Sequence, residues 1–299
     1  MERGRICGAV SGVTAPVFVV SRGRAATAKT PALLTACGVP FSFLVEPQEA
    51  EAYTSRWPGA PQVVLADRDR GIGYARQFLL DHCRRLAVPR YWQLDDNIND
   101  FGHHSAYGHS NRREVPAAEA LGAMEQAADE VPGGPWYLVA PEYRRWAWTY
   151  GDPYTKDAQV YCCTLTRTDS GINYRPEFDT KEDVEFALQH SLARKRTLRC
   201  NHWSMGKAPM GSQKGGLHEK YRAGVHVEAA KRLAAAYPDW VQLKEKRQGV
   251  EGVDAKVLWG KIRSGLHGEG VRRTVAAPRK APAPVAQQEA DDDHQTSLF

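Results

Sequence analysis

The 299-residue chain has no uninterrupted apolar run approaching the roughly 20 residues that span a bilayer, so no membrane partner is expected. Its start, with Arg3 and Arg5, leads into a short strand-like run broken by Gly8, Gly12 and Pro16 and shows no clear cleavage site; a cytoplasmic location is the expectation. There is no CxxC pair and no zinc-type spacing among Cys7, Cys37, Cys83, Cys162, Cys163 and Cys200, which points to reduced, buried thiols. No Gly-rich phosphate loop with a trailing lysine follows the first strand signal, which weighs against attack on a nucleoside triphosphate. HEKYR at residues 218–222 lacks the second histidine of a zinc-protease helix, and no internal repeat is visible. Strong net charge is missing too. Forty Lys and Arg against 35 Asp and Glu leave +5, a balance that permits an anionic partner without demanding one. With 42% apolar residues the chain is long enough for one large core or two small ones.

What is present alternates strand and helix signals over the first hundred residues. Residues 16–20 (PVFVV), 41–45 (FSFLV), 62–65 (QVVL) and 91–94 read as strands, and 25–36, 49–57 and 73–86 as helices. That order predicts a parallel, Rossmann-like α/β sheet. The middle changes character: a helix at 117–129, a PGGP break at 132–135, then strand-like 136–140 (WYLVA) and 159–166 (QVYCCTLT) predict a smaller, mixed or antiparallel half. A helix is expected at 181–194, a Gly-rich loop around 206–216, a helix near 227–236 and a strand at 240–244. Beyond about residue 265 the apolar periodicity gives way to Ala, Pro, Gln and charge, a composition that cannot offset its own ordering entropy. The expected organisation is a domain over 1–264, a flexible linker over 265–294 and a terminal pentapeptide over 295–299.

The most informative stretch is RYWQLDDNIND at residues 90–100, where an apolar strand signal stops on Asp95, Asp96 and Asn97. A strand ending in hard oxygen ligands delivers them to the carboxyl edge of the sheet, a place to hold a divalent cation against a diphosphate. Read alone, the same trio is equally a turn with a helix cap. Ser21, Arg22 and Arg24 follow the first strand, where amides and guanidinium groups reach a nucleotide. Arg76, on the first turns of the helix after Gly71-Ile72-Gly73, is placed to grip a diphosphate. Glu182 and Asp183 begin a later helix, and one of them is a candidate general base or transition-state stabiliser.

VVSRGR, GIGYARQFLL, YWQLDDNIND and FDTKEDVEF, in that order and spacing, resemble a GT-A glycosyltransferase. More narrowly they resemble the TET/JBP-associated glycosyltransferases of bacteriophages, over roughly residues 15–262. The resemblance implies a GT-A sheet and sugar transfer from a nucleotide-sugar, UDP-linked by expectation, to 5-hydroxymethylcytosine or 5-hydroxymethyluracil in DNA. It puts Ser21, Arg22, Arg24 and Arg76 at the donor, Asp95, Asp96 and Asn97 at a DxD-like Mn²⁺ or Mg²⁺ site, and Glu182 and Asp183 near the acceptor hydroxyl. Asn97 departs from the family's third acid. A further metal ligand is expected from a late histidine, His202 or His218, with His202 preferred as a residue that ends a strand.

His103, His104 and His109 read as a polar loop after the Asp95 strand. YRRWAWTY at 143–150 interleaves arginines with aromatic rings, which suits either an acceptor surface or core packing of Trp146 and Trp148 along a strand. The final residues QTSLF resemble the pentapeptide by which bacterial replication proteins dock on the sliding clamp, through Gln295, Leu298 and Phe299. The competing readings are a sugar nucleotidyltransferase and a clamp-recruited DNA-binding adaptor without chemistry.

Overall fold

The computed structural model describes residues 12–105, 108–208, 214–218, 220, 223–245 and 252–267. One sheet organises most of them, in the strand order β3-β2-β1-β4-β9-β7-β10-β5-β6. β1 (Val17–Val20), β2 (Ser42–Val45), β3 (Gln62–Val64) and β4 (Arg90–Asp95) run parallel. The other half is mixed: β9 (Cys163–Arg167) lies antiparallel to β4 and to β7 (Leu138–Tyr143), and β7 is parallel to β10 (Thr197–Lys207). β5 (Ile98–His104) and β6 (Arg112–Val115) complete the far edge antiparallel, and β8 (Tyr154–Lys156) pairs with β10. This is the α/β architecture that the GT-A resemblance implies, with the expected second half built into the same sheet.

β1 is VFVV, four residues buried on both faces, as a central parallel strand requires. Its side chains alternate: Val17 and Val19 enter one core with Leu34, Phe43, Trp92, Leu121 and Met124. Phe18 and Val20 enter the other, with Leu79, Leu80, Tyr91 and Phe186. Helices α1 (Thr30–Ala36), α2 (Ala50–Arg56) and α4 (Ala117–Glu130) therefore serve the first core. Helices α3 (Ile72–Arg85) and α6 (Glu182–Leu192) serve the second. A third cluster joins α6 to α7 (Val225–Ala236), the β11–β12 hairpin (Val241–Glu245, Val253–Val257) and α8 (Trp259–His267). No helix among the described residues is long and apolar enough to cross a membrane.

Four sequence expectations change. The helix expected from residue 25 begins at Thr30 with Pro31 at its start, because the amides of Lys29 and Thr30 turn to the Asp96 carbonyl at 2.8 and 3.0 Å. His103 and His104 lie in strand β5, not in a loop. The Gly-rich loop loses its first residues to β10, which runs to Lys207. YRRWAWTY forms the short helix α5 (Arg144–Ala147), and Trp146 is 48% exposed rather than in the core. The helix α8 runs through the expected domain boundary, and the pentapeptide with Gln295, Leu298 and Phe299 lies outside the described residues.

Candidate active site

α3 buries Ala75, Arg76, Leu79, Leu80 and Cys83, so Arg76 sits on the apolar stripe at helical spacing. A charge there is costly unless it is paired, and Arg76 is paired twice. Its guanidinium reaches Asp95 Oδ1 and Glu182 Oε1, each at 3.1 Å. Asp95 ends β4 at the carboxyl edge of the parallel strands, and its other oxygen accepts from Lys207, the last residue of β10. The β10–β5 register shifts between Gly206 and Lys207, and at that irregularity Lys207 leaves the ladder for Asp95. Cys162 completes the surroundings, its thiol 3.4 Å from Lys207 Nζ.

The neighbouring carboxylate faces elsewhere. Asp96, 2% exposed, accepts from Ser21 Oγ at 2.6 Å and from Arg24 Nη1 at 2.8 Å. The Tyr53 hydroxyl bonds the same Ser21 oxygen from α2. Arg24 also donates to the carbonyls of Lys214 and Gly215 at 2.9 and 3.0 Å, and the Gly216 amide returns to Arg22 O at 2.9 Å. Arg22 turns away, toward Glu46 and Asp69.

These contacts set the protonation states. Burial alone would raise the Asp95 carboxyl, but Lys207 and Arg76 outweigh it and hold the group below the usual range. Burial likewise opposes charge on Lys207, and Asp95 and Cys162 keep its ammonium ionised above its ordinary pKa. Asp96 is raised, chiefly by burial, with Arg24 and Ser21 offsetting part. Burial pushes Glu182 up to about 8 even beside Arg76, and Asp183 next to it adds to the rise. The site therefore sets Arg24, Arg76 and Lys207 against the carboxyl groups of Asp95, Asp96 and Glu182.

The structure thus brings together Ser21, Arg24, Arg76, Asp95, Asp96 and Glu182. Glu182 and Asp183 separate in role: Glu182, 4% exposed, buttresses Arg76, while Asp183 is only partly buried and accepts from the Val184 amide. His202 is not part of the gathering. It lies inside β10, five residues before Lys207, so roughly 17 Å away along the strand, and its ring is 6.5 Å from that of His103. His218 lies on the loop that meets Arg22 and Arg24, with its amide donating to Gly215 O at 3.2 Å. Lys207 is the functional residue that sequence reasoning missed.

A divalent cation does not fit this arrangement well. Asp95, Asp96 and Asn97 are hard-oxygen donors of the right type, but Asp95 is turned to Arg76 and Lys207, and Asp96 is buried against Ser21 and Arg24. Among the described residues no group of three or more His, Cys, Asp or Glu is disposed to hold a metal.

The fold is α/β with a large, partly parallel central sheet. Residues 15–216 match the TET-Associated Glycosyltransferase family, and the chain belongs to it. Membership favours sugar transfer over the adaptor and nucleotidyltransferase readings. No curated protein matches the chain. Among solved structures, mannose-1-phosphate geranyltransferase from Thermus thermophilus is similar at 14% identity and a TM-score of 0.30. That match covers 74% of this chain and 64% of the other, so the chain spans under two thirds of that protein's length.

Proposed function

We propose that the protein moves a sugar from a UDP-linked donor to the hydroxymethyl oxygen of 5-hydroxymethylcytosine or 5-hydroxymethyluracil in DNA. The observation that carries this reading is the Asp95 carboxylate held between Arg76 and Lys207, with Arg24 beside Asp96, at the carboxyl edge of the parallel strands. Arg24, Arg76 and Lys207 put three cationic side chains at this edge, where a diphosphate can take up the donors they do not spend on Asp95, Asp96 and Glu182. Charges fixed before the reaction stabilise the negative charge that develops on the departing diphosphate without reorganisation. Asp183, which makes no ion pair among the described residues, is the carboxylate available to orient or deprotonate the acceptor hydroxyl. A base stacked in a duplex is out of reach of such a site, so the acceptor is single-stranded or flipped out. Docking of Gln295, Leu298 and Phe299 on a sliding clamp belongs to the same proposal and would raise the local concentration of DNA.

The test is to incubate the protein with a panel of nucleotide-sugars and DNA carrying either modified base, then weigh the digested nucleosides. A hexose-sized gain with one donor is expected, and Lys207→Met should slow its appearance about 10²–10³-fold. No gain with any pair sinks the reading. A gain that survives chelation supports neutralisation by the fixed cations; one that chelation abolishes and Mn²⁺ restores reinstates the metal. Deleting residues 295–299 should leave transfer to free DNA intact and impair clamp association alone.

A further inference from the structure

β5 leaves the Asp96-Asn97 turn carrying a second buried carboxylate, Asp100, 8% exposed. Two arginines share it. Arg112 from β6 takes Oδ1, and Arg144 from α5 takes Oδ2 at 2.7 Å. The chain is cleared to let them meet. Gly206 stands opposite Asp100 in the β10–β5 register, and a Cβ there would fall on the carboxylate. A Cβ at Gly102 would lie 2.5 Å from Arg112 Nε, so Arg112 crosses the bare strand to reach its partner. Two glycines on adjacent strands thus make the bed for an arginine-carboxylate-arginine triad.

The triad carries two cations on one anion. The surplus faces outward: the Arg112 side chain is 19% exposed and that of Arg144 is 50%. Of the five donors on a guanidinium, Arg144 commits one to Asp100 and makes no other hydrogen bond among the described residues. Aromatic residues follow it in the chain. Exposed Trp146 carries the Arg145 guanidinium 5.3 Å over its ring, and Trp148 lies 3.6 Å from the His109 ring, centroid to centroid. Asp100 pairs with the residue before Lys207, whose side chain reaches Asp95, so the triad borders the candidate site.

We propose that the Arg144-Asp100-Arg112 triad is a phosphate clamp for the strand that carries the acceptor base, with Trp146 as a stacking face for a neighbouring base. The proposal rests on the reading of the site as a DNA glycosyltransferase. Guanidinium forks bind phosphate through paired donors, and a carboxylate behind them fixes their direction without cancelling both charges. Stacking on exposed rings beside such cations is how proteins track a single strand without reading its sequence. Asp100, buried and saturated by the two arginines, acts as a positioning residue.

The experiment compares two acceptors with the same hydroxymethyl group, a single-stranded oligonucleotide and the free nucleoside, which has no backbone. Arg144→Ala should lower the ratio of kcat/KM on oligonucleotide to kcat/KM on nucleoside about tenfold, the value of one charge-assisted contact. In fluorescence anisotropy with an unmodified oligonucleotide, the slope of log affinity against log salt should fall by about 1. Trp146→Ala should weaken oligonucleotide binding at least about fivefold while keeping the wild-type salt slope. Arg113→Ala, whose side chain pairs with Glu119 of α4, serves as the control with unchanged ratio and slope. Wild-type ratio and slope in Arg144→Ala, or equal losses on both acceptors, would overturn the clamp. If the wild type transfers to neither acceptor, the assigned function fails instead, and the anisotropy arm still decides the clamp.

Discussion

Asp95 lies between two cations, and most of the site's behaviour follows from that placement. Arg76 is buried with Asp95 and Glu182 as partners, so replacing Asp95 by Ala leaves two cations short of a charge and should cost about 3–5 kcal/mol. Glu182 gives a prediction with a definite sign. Its folded pKa of about 8 stands above the ordinary 4.5, so between those values the folded state binds more protons than the unfolded chain. Stability contributed by that group is present below the unfolded value and is lost as pH rises through the folded one. Glu182→Gln removes the titration, and its melting temperature should fall less than that of the wild type between about pH 5 and 8. Equal slopes in thermal melts at fixed ionic strength would place the titrating group elsewhere.

At the scale of the element, the segment packed on Gly23 and Arg24 depends on a turn that needs glycine. Gly215 has φ +81, and a Cβ there would meet the Gly23 carbonyl at 2.9 Å and Arg24 Cγ at 3.0 Å. Gly215→Ala should therefore cost about 1–3 kcal/mol in local strain and raise KM for the nucleotide-sugar more than KM for the acceptor. An unchanged donor KM would show that this loop does not cover the nucleotide. The parallel half of the sheet was legible from sequence because β1, β2 and β4 are short apolar runs buried on both faces. Arg76 was legible only by its place on the first turns of the helix after Gly71-Ile72-Gly73, and Asp95 as an acid that ends a strand. β5 and β6 were not, since Gly102, His103, His104 and Arg112 break the alternation that marks a strand, and β6 is a four-residue edge. Lys207 was hidden for a related reason. It reaches Asp95 across 112 residues of sequence from a strand, TLRCNHWSMGK, whose polar residues mask its period.

At the scale of the molecule, the two ends of the parallel strands have different characters. The carboxyl end gathers Arg24, Arg76, Lys207, Asp95 and Asp96, while the amino end opens on a cavity of 680 Å³ lined by Thr14, Arg90, Glu119 and Gln126 beside α4. Arg90, which lines that cavity, is already committed to Asp129 at 2.6 Å. The concentration of fixed cations favours the carboxyl end, the edge on which open α/β sheets bind their ligands. Hydrogen–deuterium exchange with and without a UDP-sugar tests this choice most directly, because it reports the site without requiring turnover. Protection is expected at residues 21–30, 95–98 and 214–218, with residues 117–130 unchanged. Protection confined to residues 117–130 around the α4 cavity would contradict the placement of the donor between Arg24, Arg76 and Lys207.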